Sequence, residues 1–188
     1  MWNNYDGGRY EMHVCNYNSW YEIVNQPHPG DNGVQAYPNV HKDYDDEPLA
    51  NIQSADFAGV GPRCAGCIYD VAFDIWINNG FDNELMIWTE NWGQRPAGNQ
   101  VGTTIIGGHT FQVWKSGGAS SPGGIFTYVA VPSWPSGTMP LQAFFQDVQH
   151  RGWIPANSTT WQVDFGVETV STESNPERFD FTNFAIHD

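Results

Sequence analysis

The stretch FDNELMIWTE, residues 81–90, places a carboxylate, Glu84, directly before Leu85, Met86, Ile87 and Trp88. Side chains on a strand alternate between its two faces. Leu85 and Ile87 therefore share one face, and Glu84, Met86 and Trp88 share the other. A strand buried on both sides has no use for an unpaired carboxylate, and an open polar face has no use for Met beside Trp. A face that is apolar, aromatic and acidic at once fits the floor of a wet groove, with the opposite face in a core.

The rest of the chain repeats that rhythm. Short strand-like runs include Tyr10–Cys15, Trp20–Val24, Cys67–Ile77, Val101–Ile106, His109–Trp114, Ile125–Val131, Trp161–Thr169 and Phe179–Ile186. Between them stand turn signals such as PHPGDNG, GGH, SGGASSPGG and PSWPSG. GGH between two such runs predicts a tight hairpin. No internal repeat and no linker divides the chain, so residues 1–188 are expected to form a single all-β domain, a jelly-roll sandwich of two curved antiparallel sheets. One segment departs from period two. In PLQAFFQDVQHRG, Leu141, Phe144, Phe145 and Val148 recur at helical spacing, Pro140 suits a first turn and Gly152 a stop. A single helix is expected on the outer side of one sheet.

Seven Lys and Arg face twenty-one acids, a formal net charge of -14. Nucleic acid and anionic membrane both need basic patches, so neither is expected as a partner. No run of about 18 apolar residues offers a membrane-spanning helix. Met1 and Trp2 follow no basic-then-apolar leader, and the chain is expected to be the mature, monomeric domain of a secreted protein. Of the three cysteines, Cys64 and Cys67 are expected to pair, with Cys15 a buried thiol; a second ligand pair for zinc is missing.

The same alternation brings acids to non-core faces on two more strands. In VAFDIWI, Val71, Phe73, Ile75 and Ile77 face one way, and Asp74 shares the other side with Ala72 and Trp76. In VDFGVETV, Val163, Phe165 and Val167 face the core, while Glu168 lies with Asp164 and Gly166. Asp164 and Glu168, four residues apart on one strand, sit roughly 13 Å from each other and make no working pair. Any one such acid is ordinarily a solvated residue on a polar sheet face. The company of Met, Trp and Gly argues against that here, since Gly166 leaves room for a close approach to the backbone. Two carboxyls facing each other across a cleft are the equipment of glycoside hydrolysis, one acting as an anion and one holding a proton through a raised pKa.

With these residues in view, the chain resembles glycoside hydrolase family 12, the small retaining β-1,4-glucanases. NELMIW is similar to the family's nucleophile strand, with Glu84 in that role; VAFDIW resembles the preceding strand, with Asp74 as assisting aspartate; FGVE resembles the acid/base strand, with Glu168 as acid/base. WNN, YNSW, QAYPNV and IGGHTF resemble further family segments in the right order, and GQRPAG the loop that crosses one end of the cleft. The resemblance implies a β-glucan polysaccharide or oligosaccharide substrate, no metal and no cofactor. It implies substrate contacts from Trp2, Asn18, Trp20, Met86 and Trp88. It departs from the family at Thr169-Val170, where many members carry Pro-Phe or an aromatic.

Other candidates have bland readings. His109 in the hairpin is expected to be structural, and Asp43, Asp45, Asp46 and Glu47 to form a solvated loop. Glu90 follows Trp88 on what alternation makes the same face, so it imitates the nucleophile. The expected activity is a retaining endo-β-1,4-glucanase acting on cellulose-type glucans. The alternatives are a xyloglucanase or mixed-linkage β-glucanase on the same scaffold, or a non-catalytic carbohydrate-binding sandwich, which would keep the aromatic platform but not need acids on facing strands.

Overall fold

The computed structural model describes residues 2–3, 7–31, 33–78, 83–117 and 123–188, with backbone alone for Trp2 and Asn3. The strands in chain order are β1 (Trp2–Asn3), β2 (Arg9–Asn16), β3 (Ser19–Asn25), β4 (Ala36–Tyr37), β5 (Asn39–Pro48), β6 (Ser54–Val60), β7 (Ile68–Ile77), β8 (Asn83–Trp92), β9 (Asn99–Ile106), β10 (His109–Ser116), β11 (Gly124–Ala130), β12 (Ser136–Met139), β13 (Thr159–Ser171) and β14 (Glu177–His187). A 3-10 turn at Leu49–Asn51 follows β5, and the helix α1, Leu141–His150, precedes β13.

The strands form two sheets, the all-β sandwich expected. The larger runs β1-β4-β13-β7-β8-β11-β10-β9, with β5 also paired to β13; the smaller runs β12-β6-β14-β3-β2. Neighbours are antiparallel except β8 and β11, which run parallel. Between the sheets lies an aromatic core in which Phe165 stacks on Phe73 at 4.6 Å and meets Phe57 edge-on at 5.7 Å. The inward residues that alternation predicts, Val71, Phe73, Ile75, Leu85, Ile87, Val163 and Phe165, are all fully buried there.

The helix buries the four residues its spacing singled out, Leu141, Phe144, Phe145 and Val148. Phe144 packs edge-on against Phe111 of β10 and Tyr128 of β11, so the single helix expected is present, but it covers the large sheet on its core side, away from the cleft described below, rather than on an outer side. The GGH hairpin forms as expected: His109 pairs with Ile106, and Gly107 and Gly108 both adopt positive φ, which glycine tolerates without strain. His109 is structural, stacked on Trp134 at 3.7 Å.

Two local expectations are corrected. The acidic run is a strand rather than a solvated loop, because β5 pairs with β13 and satisfies its backbone there. Asp43 accepts a hydrogen bond from Gln162 at 2.6 Å and Asp46 one from the Thr159 hydroxyl at 2.8 Å, so two of its acids serve the strand pair. Cys64 and Cys67 do form a disulfide, across 5.4 Å between Cα atoms, but Cys15 is exposed rather than buried. It lies near the end of β2, the edge strand of the small sheet, among exposed residues.

Candidate active site

A cleft of about 840 Å³ crosses the large sheet on the face turned away from the core. Its floor is a second, small apolar cluster of Ala72, Met86, Trp88 and Val129, walled by Trp114 and Ile125. The opening stretch is thus divided by alternation alone: Leu85 and Ile87 enter the core, while Glu84, Met86 and Trp88 form cleft wall and floor. Register then sets the acids. Asp74 of β7 stands opposite Asp164 of β13 on one side and Met86 of β8 on the other. One step along, Trp76 lies between Gln162 and Glu84. In the other direction Glu168 faces Asp70. Tyr37 of β4 reaches in from the sheet edge and donates its hydroxyl to the Ala72 carbonyl at 3.1 Å.

Five carboxyls therefore share one water-poor site: Asp70, Asp74, Glu84, Asp164 and Glu168. Burial disfavours each charged form, and each like charge disfavours the others. Glu84 is pushed up to about 8 by burial and by the Glu168 charge. Glu168 is pushed up to about 7 by burial, against a hydrogen bond with Asp70 that lowers it. Asp74 rises well above the ordinary carboxyl range through burial, then the charges of Glu84, Asp164 and Glu168. Asp164 reaches about 7 through burial and Asp43, opposed by a hydrogen bond from Trp76. Glu84 and Glu168 titrate as a pair, so the site holds protons on some of its acids at neutral pH while leaving others ionised. A shared proton is what an acid and a nucleophile need of two carboxyls, but here Glu84 lies above Glu168, the reverse of the order in which a nucleophile and an acid work.

At one end of the cleft, Asn91 at the close of β8 anchors the following loop. Its side chain accepts the Gln94 N–H at 3.0 Å and donates to the Gln94 carbonyl at 2.9 Å. Gln94 and Arg95 line the cleft as a result, and the Arg95 guanidinium lies 5.8 Å from the Trp114 ring.

The family model for glycosyl hydrolase family 12 matches residues 5–187. The chain belongs to that family. It is 24% identical to endoglucanase A of Aspergillus kawachii over 82% of its length and 69% of that protein. It is 28% identical to endoglucanase S of Pectobacterium parmentieri over 53% of its length, spanning less than half, 42%, of that relative. Among solved structures, a family 12 xyloglucanase from Bacillus licheniformis superposes with a TM-score of 0.84 over 98% of this chain and 90% of its own, at 19% identity. The xyloglucanase domain of NopAA from Sinorhizobium fredii, solved with cellobiose, gives 0.83 over 98% and 91%, at 24% identity. At these identities the superpositions speak for the fold.

In this family 12 chain the structure brings Glu84, Glu168, Asp74, Met86 and Trp88 together at one cleft. It does not bring Trp20 there. The Trp20 indole is 2% exposed, stacks on Phe181 at 4.7 Å and donates to Glu22 at 3.0 Å, so the expected sugar contact is corrected to a core residue. Its strand, β3, belongs to the small sheet, and alternation there turns Trp20 toward the sandwich interior. Asn18 sits in the turn between β2 and β3, its backbone N–H bonded to Asn16, and is not among the residues lining the cleft. The backbone of Trp2 pairs with Tyr37 at the cleft sheet's edge, while its side chain lies outside the described residues.

Glu90 is also corrected. Trp88 pairs with Ala72 but Glu90 pairs with Val71, so one extra residue, Thr89, bulges out of the ladder and turns Glu90 to the opposite face. There it receives the Arg63 guanidinium at 2.9 Å and the Tyr69 hydroxyl at 2.8 Å. Sequence reading passed over Asp70. Its signal was available, since Asp70, Ala72, Asp74 and Trp76 alternate onto one face of β7. What was missing was the register that sets it against Glu168.

Proposed function

We propose that this protein is a retaining endo-β-1,4-glucanase that cleaves cellulose-type glucans by double displacement. The observation that carries the reading is the convergence of Glu84, from β8, and Glu168, from β13, on one cleft, near enough that the charge of Glu168 raises the pKa of Glu84. Glu84 as carboxylate attacks the anomeric carbon while Glu168 gives its proton to the departing oxygen, leaving a glycosyl ester on Glu84. Glu168, now ionised, takes a proton from water as the water attacks the same carbon and releases Glu84. Asp74 stands beside Glu84 as a buried acid, and in its neutral form it spares Glu84 a second adjacent charge. Met86 and Trp88 supply the apolar floor under the sugar ring.

Double displacement inverts the anomeric centre twice, so on this reading the first product is the β-anomer. Proton NMR of fresh hydrolysate reads this directly, and an initial α-anomer refutes it. Glu84→Gln and Glu168→Gln should each abolish turnover while keeping the fold, with azide restoring rate to the Glu168 variant alone. Xyloglucan is the competing substrate, since both superposed structures named above are xyloglucanases. Rates on carboxymethylcellulose, barley β-glucan, xyloglucan and xylan separate the readings. A polymeric substrate that cannot cross a membrane, together with the Cys64–Cys67 disulfide, supports an extracellular location.

A further inference from the structure

Asp70 is fully buried, and neither of its carboxyl oxygens meets a hydrogen-bond donor among the described residues. A buried ionised carboxylate in that state is costly. Its neighbour across the sheet is Glu168, its Cα partner on β13, whose carboxyl lies within hydrogen-bonding reach. Two ionised carboxylates cannot bond, because neither has a donor. The contact becomes a hydrogen bond only while a proton stays on the pair. Every other ionisable group that acts on Asp70 pushes the same way: Asp74 on its own strand and Glu84 on β8 repel its charge, and the buried Tyr37 hydroxyl from β4 offers it no countercharge. The residue opposite on β8, Asn91, spends its amide on Gln94. Among the described residues, nothing neutralises Asp70 except its own proton.

We propose that Asp70 is a positioning residue for Glu168: it keeps its proton through the reaction and donates it as a hydrogen bond to Glu168 whenever Glu168 is ionised. This rests on the acid/base reading of Glu168 above. In the first step Glu168 loses its proton to the leaving oxygen, and the Asp70 O–H is already aimed at the carboxylate that forms. In the second step Glu168 takes a proton from water, and the Asp70 proton has not moved. Asp70 thereby makes Glu168 a stronger acid and fixes its direction. Strand β7 then carries two such acids on one face, Asp74 beside Glu84 and Asp70 beside Glu168.

The test is carbon-13 NMR titration of labelled glutamate and aspartate carboxyls, with Glu168 assigned by its loss in Glu168→Gln, run beside pH profiles of kcat/KM. With Glu84→Gln present in every NMR sample, so that the Glu84 titration drops out, the Glu168 signal should titrate in two steps, shared with Asp70, while the rate profiles keep Glu84 intact. Asp70→Asn keeps a donor but cannot ionise, so Glu168 should titrate in one step near the wild-type first step. Asp70→Ala removes the donor, so that step should move up by about one pH unit, a tenfold change in the proton equilibrium. The alkaline limb of kcat/KM should move with it. A Glu168 titration identical in wild type and both variants overturns the proposal. A titration that shifts as stated while the rate limb stays fixed supports the pairing and overturns the acid/base role of Glu168 instead. Should Asp70→Ala fail to fold, the change from two steps to one in Asp70→Asn decides alone.

Discussion

Gly166, two residues before Glu168, allows a sharp test of how the site is assembled. It was expected to leave room for a close approach to the backbone, and the structure shows what approaches. A Cβ built there would lie 2.1 Å from the Pro38 carbonyl oxygen and 2.8 Å from the Asn39 Cα. The chain linking β4 to β5 crosses directly over this point, and the Val167 N–H donates to the same carbonyl at 3.3 Å. Gly166→Ala must therefore drive backbone, not a flexible side chain, back by about 1 Å. Such overpacking costs about 1–3 kcal/mol, loss of the Val167 bond adds about 1 kcal/mol, and the reduced freedom of the unfolded chain offsets roughly 0.5–1 kcal/mol. A net loss of about 1–3.5 kcal/mol lowers Tm by about 2–14 °C in a domain of this size. Because Glu168 follows on the same strand, a displacement of that order should also cut kcat by about 10²-fold. Thermal unfolding by circular dichroism and initial rates on a soluble β-glucan read both effects. A variant within about 1 °C of wild type with full activity would refute the crossing as the reason for glycine here.

Three further outcomes follow from particular contacts. Arg63→Ala leaves the buried Glu90 with Tyr69 alone; since Arg63 is itself half exposed, the loss should be about 1–2 kcal/mol and Tm should fall by about 2–8 °C, whereas Glu90→Gln should keep its activity, and inactivity with an intact fold would restore Glu90 as a nucleophile candidate. Asn91→Ala frees the loop at Gln94, so KM should rise several-fold at nearly constant kcat; an unchanged KM would mean the loop is held without Asn91. Glu22, buried with one oxygen unpartnered, is raised well above the ordinary range by burial, against its bond from Trp20. Its neutral form suits the fold, so its contribution is complete below about pH 4.3, the unfolded value, and is lost at about 1.4 kcal/mol per pH unit as pH climbs toward the folded value. Denaturant unfolding across pH 4–8 should therefore show Glu22→Gln gaining on wild type as pH rises, and a flat difference would refute a neutral Glu22.

The amino-acid sequence by itself determined the faces of the strands. Period two sorted Leu85 and Ile87 from Glu84, Met86 and Trp88, and Val163 and Phe165 from Asp164 and Glu168, because alternation is a local property of an extended chain. The helix at Leu141–His150 was legible for the same reason, its stripe lying within a few turns of one segment. What is local ends where strands meet. Trp20 alternates as cleanly as Trp88, yet its strand joins the sheet that has no cleft, and only the pairing of β3 with β14 and β2 sends its indole into the core. Glu90 keeps its parity in the sequence and loses it in the fold, because one bulged residue against β7 reverses every side chain beyond it. Asp70 looked like any polar strand residue until β13 was laid beside β7 in a register that sets it against Glu168. Register and sheet membership are long-range choices, made by which buried faces fit together across the core. The tertiary structure alone therefore decided which of the chain's many acids and indoles share one cleft.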